Sequence, residues 1–165
     1  MTTEQPNKIP AEFREDTGSA AGPAVVAGRS VLLMDDEESI LRVTGKMLEL
    51  LGYGVCCARH GMEAVELFAD ALEKGSPFSA VIMDLTIRGG LGGKSTIIAL
   101  PQILPDVKAI VSSGYSNDPI MANYREYGFS NILFKPYRIE DLRKTLAETL
   151  GADIPRPSVD MSAER

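Results

Sequence analysis

The chain contains no tryptophan, a single histidine and only two cysteines, which stand next to each other as Cys56 and Cys57. Adjacent cysteines cannot cross-link distant parts of a fold, so the sequence predicts a reducing, cytoplasmic setting. No apolar run approaches the roughly 18 residues that a membrane-spanning helix needs, and the polar N-terminus lacks the apolar stretch of a signal peptide. A basic excess is also missing, because 17 Lys and Arg stand against 23 Asp and Glu. The net charge of −6 argues against nucleic acid as a partner.

The length and composition of the chain suit one domain of ordinary size. Hydrophobic residues make up 44% of the 165 residues, and aromatic residues only 6%, so a mainly aliphatic core is expected. Composition shifts near residue 30 and again after residue 151. We therefore expect a flexible leader or linker over 1–29, a folded domain over 30–151, and a flexible tail over 152–165.

Short apolar runs alternate with amphipathic stretches throughout the predicted domain. The runs are too short for helices and predict buried strands over 31–34, 55–58, 80–83, 109–111 and 132–134. Apolar residues at helical spacing predict helices over about 40–51, 64–72, 95–100, 119–127 and 139–150. Strands that alternate with helices indicate an α/β fold, in which a parallel sheet is covered on both faces.

Acidic and polar side chains stand at the ends of four predicted strands. Asp35 and Asp36 follow the first strand, Asp84 the third, Ser112 the fourth, and Lys135 the fifth. The carboxyl ends of parallel strands meet at one edge of a sheet, so the three carboxylates should converge there. Such a cluster is costly without a cation, and Mg²⁺ prefers oxygen ligands. A carboxylate beside Mg²⁺, a lysine and a hydroxyl is suited to phosphoryl transfer.

Four short motifs at these strand ends resemble the response regulator receiver domain of two-component signalling. They are MDDE at 34–37, VIMDL at 81–85, VSSGY at 111–115 and FKPY at 134–137. The resemblance covers about residues 30–150. It implies a flavodoxin-like (βα)5 three-layer sandwich whose parallel sheet has the strand order 2-1-3-4-5. The glycine-rich segment 89–93 is similar to that of receivers fused to sensor kinases.

The resemblance implies a magnesium site at the acidic residues. Asp36 would bind Mg²⁺ directly, and Asp35 would bind it through a water molecule. Asp84 and the backbone carbonyl of Thr86 would complete the ligands that the protein supplies.

The resemblance also implies a phosphoryl site, with Asp84 as the phosphoacceptor. Lys135 would pair with the phosphoryl group, Ser112 would hydrogen-bond to it, and a cis peptide bond would precede Pro136.

The donor of the phosphoryl group would be a histidine kinase or a histidine phosphotransfer protein. A downstream protein would bind the face formed by the fourth helix, fifth strand and fifth helix, and a phosphorylation-dependent dimer is compatible with this scheme. The chain would then be a signalling switch that promotes its own phosphorylation and dephosphorylation, not a classical enzyme. The short tail predicts either a stand-alone receiver or a piece of a hybrid kinase.

The sequence departs from the receiver pattern at two positions. Ile132 stands where many receivers place an aromatic switch residue, and Arg88 stands where they often have proline. The first departure leaves open a receiver-fold interaction module that works without phosphorylation. A remoter alternative is a P-loop-like nucleotide site at Gly93, Lys94 and Ser95, although Arg88 occupies the position where that motif needs glycine.

Overall fold

The computed structural model describes residues 29–90, 92–103 and 106–151. The predicted leader and the predicted tail (152–165) lie outside the described residues, apart from Arg29 at the end of the leader. Within the described part, no helix is both long and apolar enough to cross a membrane.

Five strands form one parallel sheet in the order 2-1-3-4-5, which confirms the predicted fold class. The aliphatic runs become strands because both faces of the sheet are covered, and β3 and β4 are buried along their whole length. The strands are β1 (Ser30–Met34), β2 (Gly54–Ala58), β3 (Ala80–Asp84), β4 (Ala109–Ser113) and β5 (Asn131–Phe134).

Helices connect the strands and cover the two faces of the sheet. They are α1 (Glu38–Leu50), α2 (Gly61–Glu73), α3 (Gly93–Ile103), α4 (Pro119–Ala122) and α5 (Ile139–Leu150). Glycines end α1 and α5, because Gly52 and Gly151 follow these helices with φ of 83° and 63°. Helix α3 is longer at both ends than the predicted 95–100.

The core lies in two layers, one on each face of the sheet. Alternate strand residues such as Leu32 and Met83 pack with Phe68 of α2 and Leu100 of α3. Their neighbours in sequence point the other way and pack with side chains of α1 and α5, among them Leu48, Leu142 and Leu146. This three-layer arrangement directs the carboxyl ends of β1, β3, β4 and β5 toward one edge of the molecule.

The prediction of one continuous fourth helix over 119–127 is wrong. Helix α4 has only four residues, and a 3-10 turn over Tyr124–Tyr127 follows it before Gly128 with φ of 92°. Asn123 separates the two, with its side-chain amide donating to the Pro119 carbonyl at 3.3 Å. Asparagine competes with the helix backbone for hydrogen bonds in this way, so it favours a helix end. The helix starts at Pro119, as predicted, and the preceding Asp118 carboxylate accepts from the Ile120 N–H at 2.8 Å.

Candidate functional site

Three carboxylates meet where β1 and β3 end. One oxygen atom from each of Asp35, Asp36 and Asp84 lies within 4.8 Å of the other two. Asp35 and Asp84 are buried, and Asp36 is half-buried. Negative charges this close repel one another, and burial strengthens the repulsion because little water screens it.

The ammonium group of Lys135 provides positive charge inside this cluster. Its Nζ lies 2.5 Å from Oδ2 of Asp35 and 3.5 Å from Oδ1 of Asp84. The backbone fixes the position of the side chain, because the Lys135 N–H donates to the Ser113 carbonyl at 2.9 Å and extends the pairing of β5 with β4. The peptide bond between Lys135 and Pro136 is cis. One lysine against three carboxylates leaves the cluster with an excess of negative charge.

The protonation equilibria of the cluster follow from this imbalance. Burial raises the pKa of Asp84, and the charge of Asp35 raises it further, while Lys135 and the Thr86 N–H act in the opposite direction. Burial alone would lower the pKa of Lys135, but its hydrogen bond to Asp35 and the charge of Asp84 raise it above the usual value. Lys135 therefore stays protonated at neutral pH, and the ionised form of Asp84 is held at a cost in free energy.

Backbone N–H groups hold the two acidic residues that follow β1. Oδ1 of Asp35 accepts from the Glu37 N–H at 2.9 Å, within the turn that leads into α1. Oδ2 of Asp36 accepts from the Arg88 N–H at 3.2 Å, across the gap to the segment between β3 and α3. The two carboxylates are thus positioned by different parts of the chain.

The serines that end β4 point to opposite faces of the sheet. Ser112 pairs in register with Asp84 and therefore shares its face. Its Oγ is buried and makes no hydrogen bond with the described residues. Ser113 is also buried, and its Oγ accepts from the Tyr115 N–H at 3.1 Å in the following loop.

Thr86 lies in the loop that leaves β3, two residues beyond Asp84. Its side chain is exposed, and its N–H interacts with the Asp84 carboxylate. The preceding Leu85 N–H donates to the Ser112 carbonyl at 2.9 Å, so the start of this loop still follows the sheet. The loop therefore leaves the sheet directly beside the acidic cluster.

Tyr137 is a neighbour of the site for which no role was predicted. Its hydroxyl lies 2.9 Å from Oγ1 of Thr44 on the buried face of α1. Burial raises the pKa of Tyr137, whereas its hydrogen bond to Thr44 and the charge of Lys135 act in the opposite direction. The FKPY motif marks the residue, but a contact between positions 44 and 137 has no local signal in the sequence.

The family model for the response regulator receiver domain matches residues 31–147. The chain belongs to this receiver family. Its sequence is 27% identical over 151 residues to the acid tolerance regulatory protein ActR of Rhizobium meliloti, covering 92% of this chain and 75% of that protein. It is 30% identical over 121 residues to the sensor kinase CckA of Brucella abortus, covering 73% of this chain but only 12% of the kinase.

Solved receiver structures have the same fold. One is the receiver domain of a sensor histidine kinase from Pseudomonas aeruginosa, solved with a magnesium ion in its active site cleft, which matches with a TM-score of 0.66 at 24% identity. That match covers 76% of this chain and all of the other. A second is the chemotaxis protein CheY4 of Vibrio cholerae, with a TM-score of 0.64 at 25% identity over 74% of this chain and 98% of the other.

Receiver domains are a phosphoacceptor family that interacts with histidine kinases, phosphotransfer proteins and downstream effectors, and they are not a classical enzyme family. The P-loop alternative finds no support in this setting. The three residues do open a helix, as in a P-loop, but Arg88 replaces the first glycine of that motif, and Nζ of Lys94 lies 5.5 Å from the centre of the Tyr127 ring in a cation–π contact.

Proposed function

We propose that this receiver domain accepts a phosphoryl group on Asp84 from a phosphohistidine of a kinase or phosphotransfer protein. The observation that carries the proposal is the grouping of three carboxylates around a buried ammonium group at one edge of the sheet. An oxygen atom of Asp84 attacks the phosphorus atom of the donor. The O–P bond forms as the N–P bond breaks, and the imidazole nitrogen leaves with the electron pair.

Lys135 is the group that receives the charge of the incoming phosphoryl oxygens. Its ammonium lies 3.5 Å from Asp84, so little movement is needed to bring it to an oxygen atom bound there. Because its pKa is raised, it remains a cation in the pH range of the reaction. Catalysis of this kind depends on positioned charge and on a site that is already organised.

The donor set fits Mg²⁺. It consists of oxygen atoms only, it carries more negative than positive charge, and burial makes the ionised state costly without a further cation. Asp35, Asp36, Asp84 and the Thr86 carbonyl would hold the ion. When bound, Mg²⁺ neutralises phosphoryl oxygens and lowers repulsion between the carboxylate and the donor.

The phosphorylated state is read out by a change in conformation. We assign the hydroxyl partner of the phosphoryl group to Ser112, because it shares the face of Asp84 and has an unpaired, buried Oγ. Ser113 is the second candidate, since within the described part of the chain its Oγ is engaged only with the Tyr115 N–H in the following turn. Either contact biases an equilibrium between two conformations that exists before phosphorylation.

We assign the binding of a downstream protein to the face of α4, β5 and α5. Phe134 is 46% exposed there, beside a groove lined by Asp141, Lys144 and Glu148 of α5. The same face is the candidate for a phosphorylation-dependent dimer. Donor proteins of this type would meet the domain in the cytoplasm, where the free thiols of Cys56 and Cys57 stay reduced.

The test of this proposal is phosphorylation with acetyl phosphate and Mg²⁺, followed by measurement of the intact mass. We expect one added phosphoryl group on the wild-type chain and none on Asp84→Asn or in the presence of a chelator. Asp106→Asn, an exchange at an exposed turn, is the matched control and should gain the group normally. If neither acetyl phosphate nor a phosphorylated donor protein modifies the chain, the phosphorylation-independent module replaces this proposal.

The variants Ser112→Ala and Ser113→Ala show which of the two serines contacts the phosphoryl group. Loss of the hydroxyl that contacts the phosphoryl group should slow formation of the adduct, whereas loss of the other should leave its rate nearly unchanged. Rates from quenched samples decide between them. A larger effect for Ser113→Ala would move the assignment to Ser113.

A further inference from the structure

The Asp36 carboxylate has a backbone partner outside its own turn. Its Oδ2 accepts from the Arg88 N–H at 3.2 Å, and among the described residues this is its only hydrogen bond. Asp35 differs, because it is held by both the Glu37 N–H and the Lys135 ammonium. The orientation of Asp36 therefore depends on the segment that follows β3.

Packing fixes the position of the Arg88 N–H. The preceding residue, Ile87, is buried in the core layer formed by α2 and α3. Gly92 lies against the backbone of Leu85, the first residue after β3, so closely that a Cβ on Gly92 would lie 2.4 Å from the Leu85 carbonyl oxygen. The Arg88 N–H therefore lies between two residues, Ile87 and Gly92, whose positions are set by packing.

The side chain of Arg88 contributes nothing to this contact. It is exposed, and the described residues give its guanidinium no ion pair or hydrogen bond. What matters at position 88 is the presence of an N–H group, which every residue except proline supplies.

We propose that the backbone N–H of Arg88 is a positioning group for the cation site, acting through Asp36. It engages Oδ2, which leaves Oδ1 available as a ligand atom. A carboxylate can accept several bonds at once, and hydrogen bonds to a ligating carboxylate orient it and strengthen metal binding. This inference rests on the proposed function, because it assumes that Asp36 binds Mg²⁺.

The test compares Arg88→Pro with Arg88→Ala in calorimetric titrations with Mg²⁺ alone. Proline removes the N–H, and alanine removes the guanidinium but keeps the N–H. We expect Arg88→Pro to weaken Mg²⁺ binding by about tenfold, the lower end of the usual effect of a group that orients a metal ligand. Arg88→Ala should bind within about twofold of the wild type.

Equal binding by Arg88→Pro and wild type would overturn the inference, and so would an equal loss in both variants. Wild-type protein that binds no Mg²⁺ would instead count against the proposed function. Circular dichroism shows whether Arg88→Pro is folded.

A second measurement on the wild type does not depend on that variant. Exchange of the Arg88 amide proton should be slow, should stay slow at saturating Mg²⁺, and should become at least tenfold faster in Asp36→Ala. An amide that loses protection when Mg²⁺ binds would show that the bond breaks as the ion enters, which contradicts a positioning role.

Discussion

Asp84 is a buried carboxylate whose ionised form lowers the free energy of unfolding. Burial and the neighbouring Asp35 raise its pKa above the value in the unfolded chain. A group with a raised carboxyl pKa lowers stability once the pH exceeds the unfolded value. The ionised state of Asp84 therefore has a measurable cost in free energy of unfolding.

We predict that Asp84→Asn increases the free energy of unfolding at pH 7 without Mg²⁺. The amide removes the buried charge and the repulsion with Asp35, although it also loses the ion pair with Lys135. Urea unfolding followed by circular dichroism measures the effect. Asp106→Asn should leave stability unchanged, and a lower midpoint for Asp84→Asn would contradict the prediction.

Two tyrosines of the same core layer differ in what their hydroxyls contact. The Tyr137 hydroxyl lies 2.9 Å from Oγ1 of Thr44, whereas the buried Tyr53 hydroxyl has no partner among the described residues. Tyr137→Phe should therefore lower stability by about 1 kcal/mol, and Tyr53→Phe should be neutral or stabilising. Urea unfolding compares the two variants directly, and equal effects would show that the Thr44 contact does not stabilise the fold.

Cys57 is a half-buried thiol that should be slow to react. Burial, with the neighbouring Cys56 as the next cause, raises its pKa to about 11. The thiolate is the reactive form, so at pH 8 alkylation of Cys57 should be about a hundredfold slower than in the unfolded chain. Iodoacetamide labelling followed by peptide mass spectrometry with and without urea measures this. Similar rates in both conditions would contradict it.

At the scale of the elements, two glycines between β3 and α3 lie close to the backbone at the end of β3. A Cβ at Gly92 would lie 2.4 Å from the Leu85 carbonyl oxygen, and one at Gly93 would lie 2.9 Å from that of Asp84. The backbone must therefore shift if either glycine gains a side chain. These shifts would reach the proposed cation site, since Thr86, whose carbonyl is a proposed ligand, lies within the same loop.

We predict that Gly92→Ala lowers the free energy of unfolding by about 1–3 kcal/mol and weakens Mg²⁺ binding. Gly45→Ala is the control, because nothing lies within 4 Å of its Cβ position in the middle of α1. Alanine there should stabilise the helix by about 0.5–1 kcal/mol. Urea unfolding and calorimetry with Mg²⁺ check both variants, and an unperturbed Gly92→Ala would mean that the loop yields easily.

The strands could be predicted from the sequence because burial on both faces leaves little choice of residue. The run ending at Met83 and Asp84 shows this, as aliphatic side chains fill both layers of the core. The break at Asn123 could not be predicted, because the apolar spacing around it is compatible with one longer helix. It depends on a side-chain bond to the Pro119 carbonyl.

The sequence was sufficient to predict the candidate-site residues whose polar side chains stand at the ends of predicted strands. Asp35, Asp84 and Lys135 are examples. The contact of the Arg88 N–H with Asp36 could not be predicted, because a backbone hydrogen-bond donor has no signature in the sequence. Tyr137 was missed for a different reason, since its partner Thr44 is far away in the chain.

At the scale of the whole molecule, the proposed cation site joins segments that are distant in sequence. Its carboxylates follow β1 and β3, and the lysine among them follows β5. A ligand held by such a site binds only the folded chain, because the unfolded chain does not bring these groups together. If Mg²⁺ binds at this acidic cluster as proposed, its binding is linked to global unfolding.

We predict that Mg²⁺ at ten times its dissociation constant raises the free energy of unfolding by about 1.4 kcal/mol, and that each further tenfold increase adds about the same again. Thermal or urea unfolding at a series of Mg²⁺ concentrations, at constant ionic strength, gives the slope. Asp36→Asn should flatten it, and Asp106→Asn should not, because only the first carboxylate belongs to the cluster. A wild-type slope equal to that of Asp36→Asn would mean that the three carboxylates do not act together as a cation site.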